Sequence, residues 1–210
     1  MRSRVFVVSL LIVLGLTACA PSQDSAEPTS EPASEPTSTS TPTPTATHTF
    51  APAVIPTDCT TVVDAEIYDA TFSGVPLNDP ALGYPAGTLG IVSPTAPAAD
   101  AAIDDVVDAA TQLRCVWRDP GADVTYLAVQ IGSVESGVGS DYLASLKLAD
   151  YTCDDALNGV RCTLLSVDPQ YQVDVADTAF VRDDIVIRIG QANLPTDNLL
   201  GAVVATVWAE

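Results

Sequence analysis

The 210-residue chain has one histidine, one methionine and only eight Lys and Arg side chains against 27 Asp and Glu. The lone histidine, His48, stands among threonines and prolines, where nothing fixes its geometry. That leaves no imidazole to activate a serine or a thiol, and none to complete a Cys/His zinc site. The shortage of cations, with a formal charge of −19, excludes nucleic acid as a partner, because a phosphate backbone is held by clustered Lys and Arg. It equally excludes direct binding to an anionic membrane surface. No apolar run reaches the roughly 20 residues of a bilayer span. Even so, a hydrophobic content of 47% is too high for a wholly disordered acidic chain.

The N-terminus is read as a lipoprotein signal over residues 1–18. Arg2 and Arg4 form a short basic region, and Val5 to Leu16 is an apolar core interrupted only by Ser9 and Gly15. Leu16-Thr17-Ala18-Cys19 matches the bacterial lipobox, in which the Cys19 thiol accepts a diacylglycerol and the signal is cut just before it. Two acyl chains give stable anchoring where one is marginal. The expected location is the outer face of the cell membrane, with the membrane itself a partner through the lipid. Residues 19–50 then read as the lipidated cysteine and a stalk: from Pro21 to Phe50, 20 of 30 residues are Pro, Ser or Thr. Such a composition buries no core and extends at roughly 3.1 Å per residue.

Residues 51–210 read as one globular domain, large enough for a sizeable core. Thr57-Asp58 predicts a helix to about Phe72, and Ser73 to Pro97 an irregular segment rich in Gly and Pro. A second helix is expected over Ala98 to Ala110. Leu113 to Arg118 and Val124 to Ile131 alternate as strands around a Pro-Gly turn. A helix over Ser140 to Ala149 precedes two strands flanking Asn158-Gly159, a type I′ hairpin signal. Short strands follow at Gln172–Ala176, Thr178–Arg182 and Asp184–Gln191, then a helix from Pro195-Thr196-Asp197 to about Trp208. The order predicts an α+β fold, an antiparallel sheet with helices on one face.

With Cys19 set aside, Cys59, Cys115, Cys153 and Cys162 remain. Four cysteines in an exported domain predict two disulfides in one of three connectivities. Cys153 and Cys162 straddle the hairpin turn, where cross-strand pairing is easy, which leaves Cys59 with Cys115. A zinc site would need these thiols kept reduced, against the expected compartment.

The runs Thr57-Asp58-Cys59, Cys115-Val116-Trp117-Arg118-Asp119-Pro120, the Cys153/Cys162 hairpin and Phe180-Val181-Arg182-Asp183-Asp184 together carry a resemblance. The pattern resembles a group of actinobacterial cell-envelope lipoproteins over nearly all of the folded part. More distantly it is similar to the extracellular sensor domain of actinobacterial serine/threonine kinases, which has two disulfides on an α+β frame with a cleft. The resemblance implies a location and a fold, and no activity.

Few residues stand out as candidate sites. Asp100, Asp104 and Asp108 recur every four residues along the second expected helix, with no cation on that helix to offset their repulsion. A calcium ion or basic partner would offset it; a solvated face is the plainer reading. Asp154-Asp155 and Arg182-Asp183-Asp184 fall at strand ends. Arg118 beside Asp119, and Arg188, read as structural ion pairs. Trp117 shares a strand face with Cys115 and is expected in the core, as is Trp208 on the last helix. No catalytic pair, metal set or cofactor motif emerges. The expected function is a non-enzymatic module that binds a small ligand or an envelope protein. The alternatives are a wall-acting hydrolase using two carboxylates in a cleft, or a purely structural envelope role. The Thr/Ser density of the stalk predicts O-glycosylation; an intact mass free of hexose increments would refute it.

Overall fold

The central strands of this protein alternate between two covered faces, and that alternation sets the architecture. The computed structural model describes residues 52–85 and 89–209. The lipobox, Cys19 and the stalk lie outside the described residues. The strands are β1 (Thr111–Trp117), β2 (Tyr126–Ser133), β3 (Thr152–Ala156), β4 (Gly159–Val167), β5 (Asp174–Arg182) and β6 (Ile185–Ala192). They form one antiparallel sheet in the order β1-β2-β6-β5-β4-β3. The helices are α1 (Ala65–Thr71), α2 (Ile103–Ala109), α3 (Val138–Leu148) and α4 (Leu199–Trp208). The fold is α+β, as expected. No helix among the described residues is long and apolar enough to cross a membrane.

The helices do not all share one face, as the sequence had suggested. α1 and α4 cover the face that carries Leu113, Cys115, Trp117, Leu127, Val129, Ile131, Phe180 and Ile187. α2 and α3 cover the other, against Val181, Val186, Ala179 and Cys162. The reason is visible in β6, where Ile185 and Ile187 point to the first layer and Val186 to the second, so neither side could face water.

The first core layer is built around the Cys59–Cys115 disulfide. Trp117 is fully buried beside it and stacks on Phe72 at 4.3 Å between ring centroids, while its indole N–H donates to the Tyr68 hydroxyl. Trp208 is buried on α4, edge-on to Phe180, with the Arg182 guanidinium 4.5 Å from its ring centroid. The second disulfide joins Cys153 to Cys162, which face each other across β3 and β4. Val54 donates its amide hydrogen bond to the Val207 carbonyl, tying the start of the folded part to α4.

Several boundaries differ from the sequence reading for identifiable reasons. The first expected helix is split: Asp58 caps a 3-10 turn at Cys59–Thr61, and Asp64 caps α1 anew by accepting from the Ile67 amide. The Gly/Pro-rich segment runs along the open edge of β1, with Asn78, Val92, Arg114 and Arg118 amides in inter-chain-segment bonds, so the edge is covered. That run holds Thr95 against the Ala109 carbonyl, and the chain turns over Ala98–Ala101 before α2 winds. α2 therefore starts at Ile103, not Ala98. The two short strands expected at 172–182 are one continuous strand, β5. In the β3–β4 hairpin the left-handed residues are Leu157 and Asn158, one position earlier than expected. Gly159 opens β4 instead; a Cβ there would sit 2.6 Å from the Phe180 ring.

The two disulfides close loops of very different length, with sequence separations of 56 and 9. Chain-entropy arithmetic assigns roughly 4 kcal/mol to the longer and roughly 3 kcal/mol to the shorter. Denaturant unfolding should therefore show Cys59→Ala/Cys115→Ala losing more stability than Cys153→Ala/Cys162→Ala. The buried position of Cys59 and Cys115 widens the gap, and equal losses would contradict the assignment.

Candidate functional site

Small side chains on the second face of the sheet leave a hollow under α2 and α3. Two transverse rows define it. In the first, Ala128, Gly190 and Asp177 stand side by side on β2, β6 and β5. In the second, Arg114, Gln130, Arg188 and Ala179 follow one another across β1, β2, β6 and β5. Ala128 and Gly190 have little or nothing to project, so the floor lies low beneath the helices. The result is a groove of about 470 Å³. Ile103 and Asp104 of α2 and Tyr142, Ser145 and Leu146 of α3 form its walls, with Tyr151 and Tyr126 at its margins.

A hollow of about 520 Å³ lies over the β3–β4 turn at Asp155–Val160 with no aromatic ring, and two more, about 740 and 600 Å³, lie at Pro52–Ile185 and Leu165–Pro195. Neither of these two contains an aromatic ring, and their carboxylates, Asp183, Asp184 and Asp174, are exposed. The helix-covered groove is the one that gathers phenols, a guanidinium and a sheltered carboxylate.

The electrostatics follow from the row order. Asp108 on α2 accepts from Arg114 Nη2 at 2.8 Å and lies 3.5 Å from Arg188 Nη1. One carboxylate thus holds two arginines of the sheet and pins α2 above it. Asp177 is half-buried in the groove and has no ion pair or hydrogen bond within 4 Å among the described residues. Burial pushes its carboxyl above the usual carboxylate range, only partly opposed by Arg188. Burial also raises all three phenols. Tyr142 is pushed up to about 12, with Arg188 working against the rise and Asp104, Tyr151 and Asp177 adding to it. Tyr151 and Tyr126 rise by burial first and then by the charge of Asp177. All three therefore remain neutral O–H groups at physiological pH. Gln130 Oε1 is buried with no partner among the described residues.

The aspartates singled out by spacing separate into three roles. Asp108 is the double ion-pair acceptor, Asp104 is exposed at the groove wall, and Asp100 is exposed ahead of α2 rather than on it. The charge that offsets the helix comes from the sheet. No group of three or more His, Cys, Asp or Glu side chains fit to hold a metal forms among the described residues. Arg118 does not pair with Asp119: it donates to the Ala122 and Asp123 carbonyls across the turn, and Asp119 accepts from the Gly121 amide. Arg161 forks onto Asp154 at 3.1 and 2.8 Å, and Asp184 accepts from Ser133 Oγ. Reading the sequence did not bring Asp177, Tyr126, Tyr151, Gly190 and Arg188 together. The available signal was β6, where Arg188 and Gly190 interrupt the apolar series Val186 to Ala192 on one face.

Asp177 has a raised folded-state pKa, so the folded protein holds this proton more tightly than the unfolded chain. Its contribution to stability falls as pH rises from the ordinary aspartate range through the folded value, and stays lower above it. Asp177→Asn should therefore raise Tm at pH 7, by an amount that solvent access to the half-exposed group keeps small. The gain should vanish in melts below about pH 3, where both forms are neutral. A variant less stable at pH 7 would contradict this.

No protein-family model matches the chain and no curated protein matches it, so its function is read from the groove's own chemistry.

Proposed function

We propose that the protein is a non-enzymatic binding module, lipid-anchored through Cys19 on the outer face of the membrane, whose ligand occupies the groove beneath α2 and α3. The observation that carries this reading is the set of polar groups left without internal partners in a sheltered place. Asp177, Gln130 Oε1 and three phenols face a hollow of about 470 Å³. Sheltered polar groups normally satisfy one another. A concave, largely apolar cleft with a few convergent polar groups is the usual form of a small-molecule site. The carboxylate at Asp177 also opposes stability, which is the pattern of a group kept for binding.

The hydrolase alternative would draw on the same groove. Glycosidic cleavage uses two carboxyl groups flanking the bond, one of them shielded enough to hold a proton. The groove shields Asp177 and leaves Asp104 in solvent.

Two experiments test the reading. Full-length chain extracted from its own membranes in mild detergent should carry a small-molecule adduct by native mass spectrometry. Ala128→Phe, which fills the floor, should lose that adduct while keeping the wild-type circular dichroism spectrum. An adduct that persists in the filled variant would place the ligand elsewhere. Cys19→Ser should abolish acyl incorporation and move the chain out of the membrane fraction; continued membrane retention would count against the anchor.

A further inference from the structure

The missing side chain at Gly190 lowers the groove floor between Asp177 and Tyr126 and leaves room above it. The point one bond above its Cα, where another residue would carry Cβ, lies 3.3 Å from Asp177 Oδ1 and 3.7 Å from the Tyr126 hydroxyl oxygen. Two oxygens thus converge on an empty position on the groove floor. A third acceptor, Gln130 Oε1, lies one row along the sheet. The nearest cation that could neutralise Asp177 is Arg188, and its ion pair is with Asp108 instead. Counting every charged group of the groove and its rim gives Asp104, Asp108 and Asp177 against Arg114 and Arg188, one negative charge in excess.

Resting on the reading of this groove as a ligand site, we propose that its ligand carries a primary ammonium group, seated over Gly190 between Asp177 and Tyr126, on an apolar body lying against Ile103 and Leu146. An ammonium has three N–H donors and no acceptor, which suits a carboxylate and a phenol oxygen flanking Gly190 with an unpartnered amide oxygen on the next row. It supplies the positive charge the groove lacks. An anion would meet Asp177 and Asp104, and the strongly acidic chain repels it at long range. The neutral phenols of Tyr142 and Tyr151 complete the rim, with polarisable ring faces that tolerate a cation. Burial raises the Asp177 carboxyl more than the charge of Arg188 lowers it, so a second cation in the groove would be favoured beside it.

The test compares two probes of one shape, 2-phenylethylammonium and 2-phenylethanol, titrated at pH 7 into the full-length chain by isothermal calorimetry. The ammonium should bind at least about tenfold more tightly, the size of a charge-assisted hydrogen bond. Asp177→Asn should erase that preference, although the variant keeps nearly all of the chain's general attraction for cations. Gly190→Ala, whose new methyl would raise the floor between Asp177 and Tyr126, should weaken the ammonium and leave the alcohol less affected. If the alcohol binds as tightly as the ammonium, and Ala128→Phe abolishes both, the groove is a ligand site for a different class and the ammonium assignment falls. A preference for the ammonium that survives Asp177→Asn overturns it too. If neither probe binds, the assignment falls; the groove reading falls with it only if the native adduct is also absent or survives Ala128→Phe.

Discussion

A sheet clad by helices on both sides has no wet face, and this constraint governs the molecule. Every strand in the middle of the sheet must supply two rows of side chains fit for burial. The α1/α4 side meets the demand with large residues, Trp117, Phe72, Leu127, Ile187 and Phe180, interlocked around the Cys59–Cys115 bridge. The α2/α3 side meets it differently. There Ala128 and Gly190 leave the floor low, and polar groups stand where apolar bulk would close the layer. One layer is filled for stability; the other is left open at one place, walled by residues that would otherwise be poor choices for an interior.

Asp108 links these two halves of the story. By accepting from Arg114 and approaching Arg188 it ties a seven-residue helix to strands β1 and β6. So short a helix has little stability of its own. Arg188 thus makes its ion pair with Asp108 at the groove's roof, and its charge only partly offsets the burial of Asp177 on the floor. The exposure of Asp108 and Arg114 limits the strength of that tie in solution. Its main effect is on geometry.

Much of this could be read from residue order. The hairpins, the disulfide partners, the burial of Trp117 and the last helix follow from alternation, turn residues and cysteine positions. What could not be read depends on distant neighbours. Gly159 looks like a turn residue, yet its place is set by the Phe180 ring on another strand. The Asp100–Asp104–Asp108 spacing looks like a charged helix stripe. However, the helix begins after Asp100, because the preceding segment is held along the edge of β1. Its compensating arginines lie on strands, one of them 80 residues away in the chain (188 − 108). The groove itself was least legible. Its residues come from α2, α3 and three strands, and none of them forms a motif in sequence.

The bond between the Val54 amide and the Val207 carbonyl brings the entry of the folded part beside its final helix. Traction applied through the 51 preceding residues therefore enters the fold at that junction and passes first into α4 and the large-residue layer. The groove lies across the sheet from α4, under other helices. The groove and the chain's entry into the fold therefore lie on opposite faces of the sheet, with the more tightly filled layer on the entry side.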